Sequence, residues 1–364
     1  MAVGSTVYAG GVYRNPDNAA GNKLLGHQML AVLDASDPAA LRLAAESDMK
    51  LTQVFAVWNG KLLAVQHGTD EATIDGTGVP TPQNLRLKIF GLTDPSRPAL
   101  ERTIEIPGGA NSSPTAAVML DGESALVSVG AGTEGSEIAL TWVVRPGGGP
   151  GEEIAGSANA PCRVPVRDGD RVWCFGGLGR GTGLVVGLAL AAGGGLTEIA
   201  RVPVAELVNP VGAALVAAGG SVVVTDLSAG TLRLDRDSAG VPAVVSAAAD
   251  LPGPERSALA GGAGLVVQTE TAIHVVDAAT LASGANLPYP GEPYQSFAGG
   301  ASLARLSAAA GAGASLDGLV AAALGDYGVL LVRETGGTLE TVGGYWRHFG
   351  TDFIHEDNLR VGGY

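Results

Sequence analysis

The chain has 364 residues, a formal net charge of -14, 46% hydrophobic residues, 56 glycines and 20 prolines. At ~150 residues per domain this length suggests two domains, yet a closed β architecture can run as one and no linker divides the sequence. An acidic surface repels phosphate backbones, which argues against general nucleic-acid binding, and no window reaches the ~18 consecutive apolar residues of a membrane span.

The N-terminus, MAVGSTVYAGGVYRN, lacks the basic region and apolar core of a secretory signal, so the expected chain is soluble and cytoplasmic at synthesis. No long apolar stripe with a 3.6-residue period is present, and the glycine and proline content points to short strands joined by tight turns. The first strands fall at 6–13, 29–34 and 41–46, with no clear fourth. The next set is complete: 51–57, the turn Asn59-Gly60, 62–66, 85–90 and 102–106. Asn-Gly between alternating apolar runs is a strong hairpin signal. Within 85–90, Leu85, Leu87 and Ile89 share one face and Arg86 and Lys88 the other, the period-2 pattern of a half-buried strand. Five further sets follow at a spacing of about 50 residues. They are 115–120, 125–129, 138–144 and a weak strand near Glu153; 162–166, 171–175, 184–190 and 196–202; 212–217, 222–226, 231–234 and 243–247; 257–261, 265–269, 272–277 and an edge near Leu287; and 297–306, 319–324, 328–333 and 338–342.

Two of the turns match each other. Leu33-Asp34-Ala35-Ser36-Asp37-Pro38 and Phe90-Gly91-Leu92-Thr93-Asp94-Pro95 each end a strand on a proline that cannot continue a ladder, with an Asp able to close an Asx turn. This corner resembles that of the LVIVD-type repeats, although Gly91 replaces the first Asp in the second copy. The resemblance implies an all-β fold: a single β-propeller, here of seven blades of four antiparallel strands, with no chemistry attached. On that reading residues 1–50 form a partial first blade, 51–344 six further blades, and 345–364 a closing strand and tail that returns to the first blade. Return of the C-terminal strand would leave no unpaired sheet edge at the seam.

The motifs that could carry chemistry each have a simpler reading. Gly176 to Gly183 follows a strand, as a phosphate cradle would, but lacks the G-x-G-x-x-G spacing and leads into LVVGLAL rather than a helix, so it reads as an inter-strand loop. Neither G-x-S-x-G nor H-E-x-x-H occurs. His348 and His355, with Asp352, Glu356 and Asp357, offer metal-ligand chemistry at a spacing that matches no recurrent site, and the acidic run TDEATID lacks the pattern of a calcium loop. His274, in AIHVVD, reads as packed or channel-facing. No catalytic, cofactor-binding or metal-ligating residue is therefore assigned, and no cofactor is expected. Cys162 and Cys174 flank the hairpin signal Arg167-Asp168-Gly169-Asp170, nearly opposite one another, and are expected to be reduced and buried.

Aromatic residues make up only 5% of the chain, yet Tyr345, Trp346, Phe349, Phe353 and Tyr364 fall together at its end. Trp, Tyr and Arg dominate interface hot spots, so Tyr345, Trp346, Arg347, His348 and Phe349 form the candidate interface, with the segment from Phe353 onward closing the ring. The functional expectation is a non-catalytic structural or protein-interaction propeller whose partners are other subunits of a larger assembly, such as a bacteriophage tail or virion. The alternative is a propeller enzyme with a site at the ring mouth, lactonase-like or a metal-dependent hydrolase.

Overall fold

A computed structural model of the chain describes residues 2–14, 26–47, 53–67, 85–107, 113–131, 138–160, 162–176, 183–191, 194–207, 215–218, 220–226, 230–249, 251, 255–260, 264–269, 271–289, 301–306, 318–324 and 328–346. These residues form seven four-stranded antiparallel sheets, each a meander with its strands in sequence order. Blade 1 holds β1 (Ala2–Val3), β2 (Thr6–Arg14), β3 (Gly26–Asp34) and β4 (Arg42–Ser47); blade 2 holds β5 (Gln53–Trp58), β6 (Lys61–His67), β7 (Leu85–Gly91) and β8 (Ala99–Ile106). Blade 3 holds β9 (Ser113–Met119), β10 (Ala125–Ala131), β11 (Ile138–Val144) and β12 (Ile154–Ala158); blade 4 holds β13 (Arg163–Asp168), β14 (Arg171–Gly176), β15 (Leu184–Leu190) and β16 (Leu196–Pro203). Blade 5 holds β17 (Leu215–Ala218), β18 (Ser221–Asp226), β19 (Gly230–Arg236) and β20 (Pro242–Ala249); blade 6 holds β21 (Glu255–Ala260), β22 (Leu265–Thr269), β23 (Ala272–Val276) and β24 (Ser283–Pro288). Blade 7 holds β25 (Ala301–Arg305), β26 (Leu319–Leu324), β27 (Gly328–Thr335) and β28 (Thr338–Trp346). No helix occurs among the described residues.

The core is seven hydrophobic clusters, one in each gap between neighbouring blades. Leu85, Leu87 and Ile89 pack on Val127 and Val144 of blade 3, while Phe90 and Leu62 pack on Tyr8, Leu30 and Val32 of blade 1. The last cluster joins Leu319, Leu331 and Val329 of blade 7 to Val7, Leu33 and Leu41 of blade 1, so side-chain packing closes a seven-bladed β-propeller. Closure by a C-terminal strand, the expectation for 351–364, lies outside the described residues.

Because each sheet is covered on both sides, alternation does not mean one wet face. Lys88, read from the sequence as lying on the polar face, is only 2% exposed, on the side that meets blade 1. The outer edges are handled differently. In every blade the register of the fourth strand slips against the third, once in six blades and twice in blade 5, a β-bulge that twists the exposed edge away from pairing with another molecule.

Two expectations are corrected here. The missing strand of blade 1 is filled in part from the N-terminal segment, since Ala2 and Val3 pair with Val7 and Thr6. Cys162 and Cys174 are joined in a disulfide, with Cα atoms 4.8 Å apart, rather than standing as two thiols. The hairpin β13–β14 brings them together as their spacing implied, and both are 1% exposed in the cluster between blades 3 and 4.

Candidate interaction surface

In a meander the connections alternate between the two ends of the sheet. The turns between first and second and between third and fourth strands therefore share one end of the ring, the turn end. The connections between second and third strands, and those from blade to blade, leave from the opposite end, the far end.

Most connections at the turn end are short and several are closed by Asp side chains; the long exception is 306–318, between β25 and β26. Asn59 and Gly60, with φ of 47° and 70°, form the hairpin turn that their sequence indicated. Asp34 accepts a hydrogen bond from the Ser36 amide at 2.8 Å, and Asp94 accepts from the amide and hydroxyl of Ser96 at 2.9 and 2.6 Å. The same corner recurs at two positions that the sequence did not flag. Asp237 accepts from the amides of Ala239 and Val241, both at 2.9 Å, and Asp277 from those of Ala279 and Thr280 at 3.0 and 2.7 Å. The signal was Asp, three residues, then an apolar residue that turns inward: Leu41, Val241 and Leu281 are each buried. These bonds set the electrostatics. The Ser96 hydroxyl and amide hold the Asp94 carboxyl below its ordinary range, and the Thr280 hydroxyl and amide do the same for Asp277.

Each corner is then held by the preceding blade at most joins. The Tyr8 hydroxyl of blade 1 donates to the Pro95 carbonyl of blade 2 at 3.0 Å. Burial, with the nearby Asp94 charge, pushes that phenol up to about 12. Arg102 of blade 2 donates to the Gly148 carbonyl at 2.6 Å and to Glu153 at 2.7 Å, both in the long corner of blade 3. At the next-but-one join Asp168 of blade 4 accepts from Arg236 of blade 5 and, at 2.9 Å, from the indole of Trp173, over which the Arg236 guanidinium sits at 5.7 Å. Although burial works against it, these donors keep the Asp168 carboxyl below its ordinary value. Arg233 of blade 5 donates to the Ala279 carbonyl of blade 6. At the seam, the backbone of Gly343 in blade 7 lies so close to the Pro38 carbonyl and Ala39 that any side chain would collide. The polar groups of the turn end are largely engaged by the ring itself.

The far end differs. Gln66, Thr225, Thr231, Gln268 and Thr269 lie at that end of their strands and are fully buried. His274, 1% exposed, lies beside Val267 and Val276, which pack in the cluster between blades 5 and 6. Its Nε2 lies 3.4 Å from the Thr269 hydroxyl, whereas His274 Nδ1, Thr231 Oγ1 and Gln268 Oε1 have no hydrogen-bond partner among the described residues. Burial lowers the His274 pKa, which keeps the imidazole neutral. So His274 is packed between blades rather than open to a channel.

The strand ends flanking 15–25, 68–84 and 290–300 are also at the far end, whereas those flanking 306–318, between β25 and β26, are at the turn end. β28 carries Tyr345 and Trp346 at the far end as its last two residues, so they belong to the fourth strand of blade 7 and not to a free tail. Trp346 pairs with Gly328 and Tyr345 with Val329; Tyr345 is half-buried against the cluster between blades 7 and 1. Arg347, His348 and Phe349 lie outside the described residues, as do His355, the run TDEATID and 177–182 of the glycine-rich loop. Among the described residues no group of three or more His, Cys, Asp or Glu is placed to hold a metal ion.

No family model matches the chain, and no curated protein matches it. Solved structures do. A crystal structure of Sqt1 from Chaetomium thermophilum shares 12% identity over 78% of this chain and 68% of that one, with a TM-score of 0.44. A structure of U3-55K shares 12% identity over 81% of this chain and 82% of that one, with a TM-score of 0.47. Likeness at this level carries no function from those proteins to this one.

Proposed function

We propose that this chain is a non-catalytic propeller that meets protein partners through its far end, as one component of a larger assembly such as a virion or phage tail. The observation that carries this reading is the difference between the two ends. At the turn end, carboxylates close turns and arginines and carbonyls bind neighbouring blades, which leaves few polar groups to recognise another molecule. The far end carries most of the long connections, 68–84 the longest of them, on a rigid scaffold, the arrangement in which binding residues are usually found. It also carries the start of the aromatic run Tyr345 to Phe349, in the residue types that dominate hot spots. The net charge of -14 favours a partner surface that is basic at the contact.

The test begins with the protein in extracts of its source. It should migrate as part of a complex well above its own 36.3 kDa. Trp346→Ala should weaken that association by ~2 kcal/mol or more, about 30-fold, while leaving thermal unfolding nearly unchanged. A chain that is monomeric in its source would end the reading, and so would a variant that unfolds much earlier yet associates normally.

A further inference from the structure

The two cysteines of the chain form one covalent link, and its place in blade 4 is specific. The first strand of that blade, β13, carries Pro165, which has no N–H to give to a ladder, and the pairing of β13 with β14 shifts register between Val166 and Arg163. The disulfide lies just beyond this break, from Cys162 ahead of β13 to Cys174 within β14. Two residues earlier, the Ala160 carbonyl accepts from the Thr141 hydroxyl of blade 3 at 2.9 Å. The crossover from blade 3 to blade 4 is therefore tied to both blades it joins. Both cysteines are 1% exposed, enclosed by Leu126 and Val143 of blade 3 and Val172 and Leu188 of blade 4.

We propose that this bond is made on the open chain by exchange with a disulfide donor, before blade 4 packs on blade 3, and that the mature protein works in oxidising surroundings, where the bond is permanent. Two observations carry this. The first is access. Exchange in either direction requires a thiolate to reach a sulfur, and the packed cluster between the blades covers both sulfurs. In the closed ring neither a donor nor a reductant reaches them. The second is locality. The cysteines are 12 residues apart, and the β13–β14 hairpin, with Asp168 paired to Arg171 across its turn, brings them together without any other blade. The pair can therefore be oxidised while the rest of the ring is still open. One cysteine thiolate attacks the donor disulfide and releases a donor thiol, and the other cysteine thiolate then displaces the second donor sulfur from the mixed disulfide. The chain loses two electrons and two protons, and the donor leaves as two thiols. A bond of this kind persists in secreted chains and on virion or cell surfaces, and is rare in proteins that stay in a reducing cytoplasm.

Three measurements on the full chain test this. Protein quenched in acid as it leaves its source, then unfolded and alkylated, should show no free thiol without reductant and two with it. In dithiothreitol the folded protein should keep the bond about a hundredfold longer than the same protein in denaturant. Chain refolded in the reduced form and then given oxidised glutathione should stay reduced, whereas chain refolded with oxidised glutathione from the start should carry the bond. A reduced chain that does not refold at all places the bond before closure equally well. Two free thiols in the protein from its source would overturn the proposal. So would reduction of the folded ring as fast as that of the unfolded chain, or ready oxidation of a ring that had folded reduced, since either shows that the sulfurs are reached after closure.

Discussion

The two ends of the ring are made from the same strands and solve different problems. Toward the turns, the gaps between blades are filled by side chains such as Leu62, Leu63, Leu265 and Val276, and the corners are held by Tyr8, Arg102, Arg233 and Arg236. Toward the far end, the gaps contain Thr225, Thr231, Thr269, Gln268 and His274, and three of their polar atoms lack partners among the described residues. A buried polar group without a hydrogen bond costs about 1–3 kcal/mol, a cost carried by three such atoms toward the far end and, toward the turns, by the Trp142 indole N–H. Regions that bind are commonly drawn from the less stable part of a fold. The comparison teaches that the ring is locked at its corners, while most of its long connections leave from the other end.

The comparison can be broken most forcefully in the apolar core. Leu87 is fully buried between blades 2 and 3, and Leu87→Ala should cost ~2–5 kcal/mol in denaturant unfolding. A loss below ~1 kcal/mol would mean that the inter-blade clusters are not what holds the ring. Next in size is a corner. Arg102→Ala removes the donors to Gly148 and Glu153 and should cost ~1–3 kcal/mol, with local hydrogen exchange rising first in the 145–153 corner. If exchange rose first at the far end instead, the division into a locked end and a loose one would fail.

A third prediction concerns pH. Burial lowers the His274 pKa, so the folded chain disfavours the proton that the unfolded chain accepts near pH ~6.5. The stability tied to neutral His274 is present above that value and is lost as pH falls through it, at up to about 1.4 kcal/mol per unit of pKa difference. The fall in melting temperature between pH 7.5 and 5.5 should be smaller in His274→Leu. An unchanged pH profile in that variant would show that the imidazole titrates normally. The smallest expected effect is at Thr231, whose buried hydroxyl has no partner among the described residues: Thr231→Val should raise stability by ~1 kcal/mol. A large loss would reveal a partner for that hydroxyl and weaken the contrast between the ends.

Much of this fold is legible in the sequence, for physical reasons that also explain the gaps. Alternation and hairpin turns mark the strands of seven blades, and the third-strand position of 85–90 follows from the turn at Asn59-Gly60 before it. Lys88 misleads because alternation normally separates wet from dry, and in a ring both sides of a sheet are covered. The corners at Asp237 and Asp277 escape notice because neither carries the proline that marks Asp37 and Asp94. Two residues of β1 are too short to show any period. Tyr345 and Trp346 read as a tail because Gly343 and Gly344 interrupt the alternation, yet Gly343 is small in order to pass the Pro38 corner, and the strand runs on beyond it. The candidate interface was legible as a composition, not as a place; its position at the far end comes from the direction of β28.

Carboxylate footprinting of the protein in its native assembly, compared with the isolated chain, tests the central claim most directly. The account predicts reduced oxidation of Trp346, the last residue of β28 at the far end, and unchanged labelling of Asp94, Asp237 and Asp277 at the turns. Loss of labelling at those three turn carboxylates, with the far end unaltered, would contradict it.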